Sequence, residues 1–332
     1  MPGESLDGLL LDVRDLKVEF HTLRGVVHAL QGVNFQLRRR ETLGLAGETG
    51  CGKSVTALAI LRLISPPGRI SRGEIFFEGR NLLRASDAEM RDLRGSQMSM
   101  ILQEPKMSLN PVIRVGDQVA ETLLIHDRTL TQRAARAKAV EMLAGLGIPD
   151  APLVARRYPH ELSGGMAQRI MIAMMLVTRP KLLIADEPTS ALDVTIQAQI
   201  LEVMKSLIRE IHTAVLLITH DLGVMAETCD RVAVMYAGSV VEIGPVRAVL
   251  KDPQHPYTQG LLRTIPNEMA PDQPLFSIAG TVPSLLQPIT CCGFAARCQY
   301  AEERCRREMP PRYVLGEDHH AACFLHADRL KV

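Results

Sequence analysis

The chain has 332 residues, enough for one large domain or two unequal ones. Its 46% hydrophobic and 23% charged residues are ordinary for a globular protein. A formal net charge of +1, no Trp and 4% aromatics argue against a nucleic-acid partner, a polybasic membrane surface and a base-stacking platform. The longest apolar run, residues 170–177, falls well short of the about 20 residues that a membrane-spanning helix needs. The opening residues lack the basic start and apolar core of a secretory signal, which places the chain in the cytoplasm.

Taken in chain order, short β-type runs come first, at 9–13, 16–20, 33–37 and 74–77. Alternation and the turn residues Gly25, Gly32 and Gly79 suggest antiparallel strands. Residues 42–46 form a compact apolar run that enters a glycine-rich loop, and 55–64 carry apolar residues at helical spacing. Residues 86–147 are mostly helical in pattern, with a capping box at Ser86 to Glu89 and a stop at Gly147. Residues 182–185 and 214–218 read as buried strands. Between them 194–211 place Ile196, Ile200, Val203, Met204, Leu207 and Ile211 on one helical face, a core stripe. Strand–helix–strand alternation implies a parallel sheet with helices on it. After Leu250 frequent prolines break the pattern, and 251–332 read as an irregular appendage with little core of its own.

Three segments and one histidine carry chemistry. Gly47-Glu48-Thr49-Gly50-Cys51-Gly52-Lys53-Ser54 matches G-x-x-x-x-G-K-[ST]. Its glycines let backbone N–H groups crowd around phosphate oxygens, and the following helix N-terminus favours an anion. Lys53 would reach the β- and γ-phosphates and Ser54 would offer its hydroxyl to Mg²⁺. Cys51, beside Lys53 and among N–H groups, is expected to favour the thiolate. Asp186 and Glu187 end an apolar strand, where one carboxylate can hold Mg²⁺ and the next can orient or deprotonate the attacking water. His220 follows another strand, at the carboxyl end where ligands of parallel sheets bind. The bland readings are a chance glycine turn, two solvated acids and a surface histidine.

The third segment is Leu162-Ser163-Gly164-Gly165-Met166-Ala167-Gln168-Arg169. Lying between the phosphate loop and the acidic strand end, it resembles the signature of the ATP-binding cassette (ABC) ATPases, and the resemblance covers about residues 9–250. It implies an α/β fold: a P-loop ABC ATPase domain with a mixed-sheet core, an antiparallel β subdomain and a helical subdomain at about 104–165. It also implies that Ser163, Gly164 and Gly165 close over ATP held by another subunit, so that the chain works as half of a dimer. Gln103 matches the family's glutamine loop, which contacts Mg²⁺. Asp193 lies in the loop after the acidic strand. Phe20 lies where the family often stacks an aromatic on adenine, with core packing as the equal alternative. Met166 replaces the family's usual Gln and Cys51 its commoner Ser; neither removes a phosphate contact.

A finer resemblance is to the oligopeptide/dipeptide importer branch. It rests on Ser108-Leu109-Asn110-Pro111, Tyr158-Pro159-His160-Glu161-Leu162, Ile170-Met171-Ile172-Ala173 and His255-Pro256-Tyr257-Thr258-Gln259-Gly260-Leu261. It implies a division into 1–250, the nucleotide-binding domain, and 251–332, the branch's C-terminal extension. It further implies ATP and Mg²⁺, a second and non-identical ATPase subunit, two permease subunits and, indirectly, an extracytoplasmic solute-binding protein. The chain would then sit on the cytoplasmic face of the membrane and power import of peptides or similar small solutes. The rival reading is a soluble ABC ATPase of a nucleic-acid, ribosome or multi-enzyme assembly. Cys292, Cys298, Cys305 and Cys323 are spaced too widely for the usual four-cysteine zinc site. The resemblance suggests a [4Fe–4S] cluster on them; unliganded cysteines in a loop-rich tail are the alternative, and Cys291 could replace Cys292.

Overall fold

A computed structural model describes residues 8–101, 108–189, 193–264 and 276–329. Gln103, singled out above, lies outside the described residues. The chain forms two compact units: one holds 8–10, Arg38–Glu41 and Arg84–Ile218, the other Leu11–Leu37, Thr42–Leu83 and 219–329.

In the first unit three parallel strands lie in the order Met98–Ile101, Leu182–Asp186, Ala214–Ile218, and all their residues are buried. Parallel strands covered on both faces read as unbroken apolar runs, which is why 182–185 and 214–218 are visible in the sequence. The helix Val194–Ile211 matches its predicted span. Ile200 and Met204 are buried as expected, and Leu201 and Ile208 join them, so the buried face is rotated from the predicted stripe. Ser86 and Glu89 make the expected capping box. The helix Gln132–Gly145 is capped by Thr131, and the chain turns just beyond it at Gly147, whose φ of 70° suits glycine.

The second unit has two sheets. One is antiparallel, in the order Gly25–Arg38, Leu9–Thr22, Gly68–Phe77, Arg80–Asn81. The predicted runs 9–13 and 16–20 are one strand, bent by a register shift between Arg14 and Lys17, where Asp15 takes a φ of 43°. The other has the order Tyr313–Gly316, His319–Ala321, Ser239–Pro245, Arg231–Tyr236, Thr42–Ala46. Only its last pair is parallel.

The appendage is less irregular than its prolines suggest. A hairpin, Tyr313–Gly316 with His319–Ala321, extends the sheet from Ser239–Pro245. Tyr236, Tyr257 and Phe294 form an aromatic cluster with centroids 4.6–5.5 Å apart, and Tyr257 and Tyr313 are fully buried. The expectation of little core is therefore wrong: aromatics far apart in sequence supply one. At its centre the buried Glu242 carboxylate accepts the N–H groups of Gln254 and His255 and meets His319 Nε2, each at 2.9 Å. Burial alone would raise this carboxyl, but the bonds to it hold it below its ordinary range.

His255 begins the helix Pro256–Arg263. Its Nδ1 accepts the Tyr257 N–H at 3.0 Å, and Pro256 sits at the first turn, where a missing N–H costs nothing. Burial pushes His255 down to about 4; the Glu242 charge opposes this and His326 adds to it. The folded state thus rejects a proton that the unfolded chain takes up at its ordinary 6.5. The stabilisation is complete above about pH 6.5 and is lost as pH falls toward 4, by roughly 3 kcal/mol in all. Thermal melting across pH 7 to 4 should show this loss. His255→Asn, which keeps a cap acceptor without the titration, should flatten the curve; an unchanged pH profile in that variant would show that His255 is not the group responsible.

Candidate functional site

The phosphate loop lies between the strand Thr42–Ala46 and the helix Lys53–Ile60, as the motif requires. Gly47, Gly50 and Gly52 have φ of 144°, 83° and 107°. A Cβ at Gly47 would lie 2.3 Å from the Met235 carbonyl oxygen, and one at Gly52 2.6 Å from Leu30, so only glycine fits either place. Glu48 is half-buried, and Thr49, Gly50 and Ser54 are exposed. Lys53 is folded onto its own loop, where Nζ donates to the carbonyls of Gly47 at 2.8 Å and Glu48 at 3.1 Å. Phe20 is half-buried, and its ring lies over Gly68 on the neighbouring strand, where a Cβ would come within 2.6 Å of it.

Cys51 does not behave as its neighbours in sequence suggest. It is 2% exposed, and burial pushes its thiol above the ordinary value in spite of the Lys53 charge. Desolvation of the thiolate outweighs the nearby cation.

In the other unit Asp186 closes its strand and is buried. Glu187 follows with a φ of 48°, a left-handed conformation that costs a non-glycine residue energy, while its N–H donates to the Ile218 carbonyl at 2.8 Å. Ser163 is the N-cap of the helix Gly164–Leu176 and accepts the Met166 N–H at 3.3 Å. Gly165 faces Ile196, which a Cβ would approach to 3.0 Å. Asp193 caps Val194–Ile211 through the Ile196 N–H at 3.0 Å. Gln168, quoted above within the signature but given no role, is buried and donates its amide to the Pro188 carbonyl. The signature helix is thereby tied to the segment that follows Asp186 and Glu187. The run Gln-Arg after LSGG was the available signal. His220 is exposed and directly precedes Asp221, the N-cap of Leu222–Thr228.

Cys292, Cys298, Cys305 and Cys323 line one small pocket with His255 and Phe294, and Cys291 is not among its lining residues. Burial, reinforced by the neighbouring thiols, pushes Cys292 up to about 11 and Cys323 up to about 12. Among the described residues, however, no group of three or more His, Cys, Asp or Glu side chains is placed to hold a metal ion. The expected cluster therefore has a shared pocket but no preformed metal site among the described residues. Cys229 is a buried thiol, as anticipated.

The Cys51 geometry has a direct consequence. In the folded protein Cys51 should alkylate at least about tenfold more slowly than the partly exposed Cys291, since the thiolate is the reactive form. The two should converge in denaturant. Time-resolved peptide mass spectrometry reads both; Cys51 labelling first in the folded protein would contradict its burial.

Residues 30–190 match the family model described as ABC transporter, and residues 241–305 match Oligopeptide/dipeptide transporter, C-terminal region. The chain is 49% identical over 326 residues to the oligopeptide transport ATP-binding protein OppD of Bacillus subtilis, covering 97% of this chain and 91% of that protein. It is 47% identical over 321 residues to the dipeptide transport ATP-binding protein DppD of the same organism, covering 96% of each. Among solved structures, the dimeric ATP-binding cassette MJ0796, in a post-hydrolysis state bound to ADP and Pi, superposes with a TM-score of 0.65 at 25% identity, over 72% of this chain and 99% of that one. The cassette fold, the signature and an identity that runs through both chains almost end to end converge: the chain is an ATPase and belongs to the ATP-binding subunits of the oligopeptide/dipeptide ABC transporter family.

Proposed function

We propose that the chain powers a membrane importer of di- or oligopeptides or similar small solutes. It would act from the cytoplasmic face, beside a second ATPase subunit and beneath two permease subunits that receive solute from an extracytoplasmic binding protein. What carries the reading is that the likeness to the oligopeptide and dipeptide transport proteins includes the C-terminal region as well as the cassette. The rival, a soluble ATPase of a non-transport assembly, has no such support. Among the described residues no helix is long and apolar enough to cross a membrane, so the translocation path has to come from other chains. Within this reading residues 1–250 do the nucleotide chemistry and 251–332 form the extension.

The loop supplies backbone N–H groups and a helix N-terminus for the phosphates of ATP. Lys53 exchanges its bonds to the Gly47 and Glu48 carbonyls for phosphate oxygens. Ser54 and Asp186, with Gln103, are the residues that would hold Mg²⁺, which neutralises phosphate charge when bound. Glu187 orients water against the γ-phosphorus and takes its proton as the bond to the ADP oxygen breaks; His220 steadies the γ-phosphate. Ser163 and Gly165 act on ATP held by the second subunit, and Asp193 borders the same junction.

The direct test is affinity purification of the chain from the membranes of its native cell. The chain should co-purify with two permeases, and the assembly should hydrolyse ATP faster with peptide-loaded binding protein. Glu187→Gln should retain ATP and slow single-turnover hydrolysis about 10²–10⁴-fold, the usual worth of a general base. An assembly with nucleic acid or ribosomes and no permease would overturn the transport reading, and wild-type hydrolysis in the variant would remove Glu187 from the chemistry.

For the four cysteines the finer proposal is the iron–sulfur cluster. Its support is the donor set alone: four thiols lining one pocket, where a four-iron cluster takes one thiolate at each iron. Protein purified without oxygen should then contain about four irons per chain and lose them in Cys298→Ser. Iron-free protein would leave four free thiols.

A further inference from the structure

Glu48, the residue after the first loop glycine, is held at every polar group it has. Its carboxylate meets Arg297 fork to fork, Nη1 to Oε2 at 3.0 Å and Nη2 to Oε1 at 3.2 Å, across 249 positions of sequence. Its N–H donates to the Tyr257 hydroxyl at 2.8 Å. Its carbonyl accepts from Lys53 Nζ at 3.1 Å and from the Cys51 N–H at 3.2 Å.

Arg297 is itself fully committed. Besides the two bonds to Glu48 it donates to the Tyr236 hydroxyl at 3.2 Å and to the carbonyls of Ile278 and Ala279 at 3.1 Å each. These five bonds use all five guanidinium N–H donors. Its side chain is 5% exposed and lies 5.7 Å from the Tyr236 ring and 5.9 Å from that of Phe294. Tyr257 is fully buried, and burial keeps its hydroxyl protonated. A guanidinium buried in a cage of carbonyls and rings is a rigid donor, unlike a solvated surface ion pair.

The chemistry gives this cage a purpose. A carboxylate inside a loop that must receive a triphosphate repels its ligand, and partial burial weakens solvent screening of that repulsion. A fixed guanidinium cancels the charge and pins the carboxylate to one place. We propose that Arg297 and Tyr257 are positioning residues for the ATP site: the C-terminal segment neutralises Glu48 and sets the shape of the phosphate loop, so that ATP affinity depends on residues beyond the cassette. This rests on the phosphate loop being the ATP site. It also gives the His255-Pro256-Tyr257 motif a task, since the helix that His255 caps delivers Tyr257 to Glu48.

The experiment measures equilibrium MgATP binding, KM and kcat on the full chain at two salt concentrations. Lys53→Ala is the control for the site, and must lose binding; if it binds as the wild type does, the loop is not the ATP site and the proposal falls with that reading. Arg297→Gln should weaken MgATP roughly 10- to 100-fold, the worth of a charge-assisted pair, raising KM more than it lowers kcat. The defect should shrink in high salt, and Arg297→Lys should recover only part of it because Lys lacks the fork. The double variant Glu48→Gln/Arg297→Gln should regain most of the affinity, since the uncompensated charge is gone. Tyr257→Phe, which removes one hydroxyl and serves if Arg297→Gln does not fold, should weaken binding about 2- to 10-fold. Loss of binding in Lys53→Ala with wild-type affinity in Arg297→Gln or Tyr257→Phe would overturn the proposal and leave the ATP site standing. So would a double variant as weak as Arg297→Gln alone.

Discussion

Backbone N–H groups can gather around an anion only where the chain turns with no side chain in the way, and the loop from Gly47 to Ser54 is built on that constraint. Met235 leaves no room for a Cβ at Gly47, and Leu30 leaves none at Gly52. The strand that enters the loop and the strand Arg231–Tyr236 that lies beside it are paired in parallel. The hydrogen bond from the Gly238 N–H to the Cys51 carbonyl closes the loop from the far side. Helix dipole, lysine and hydroxyl can act on phosphate only after this backbone is in place.

A second constraint is that polar groups buried around the loop need partners. Glu242 meets it for the appendage by accepting two main-chain N–H groups and His319, and so starts the helix that carries Tyr257. Arg297 meets it for Glu48. The C-terminal segment therefore shares an aromatic core with Tyr236 and is organised by Glu242, and both lead to the glycine loop. In the other unit Glu187 bears a local cost, a left-handed backbone stabilised by the bond to Ile218. Strain at Glu187, the residue proposed to orient water, fits the general habit of active sites.

Much of the cassette was legible in the sequence because its signals are local. A glycine-spaced loop, a fully buried strand, a capping box and an amphipathic helix each announce themselves within a few residues, and 194–211 and 214–218 were found at their observed bounds. What was missed depends on distant partners. The strand Arg231–Tyr236 lacks alternation because all its residues are buried, and the hairpin at 313–321 shows itself only once it pairs with Ser239–Pro245. Tyr236, Tyr257 and Phe294 share no sequence period, so their cluster could not be read in advance. Cys51 was misread for the same reason: its lysine neighbour is visible in sequence, but its burial is not.

The central claim is that the glycine loop, shaped by its own strand and helix and by the C-terminal segment, is where ATP binds. Amide hydrogen exchange of the full chain, with and without MgATP, tests it most directly. The account predicts that ATP slows exchange at 49–54, that slowing extends to the segment around Tyr257 and Arg297, and that neither change occurs in Lys53→Ala. Exchange at 49–54 that is indifferent to MgATP, while the nucleotide is bound and protects another region, would contradict it.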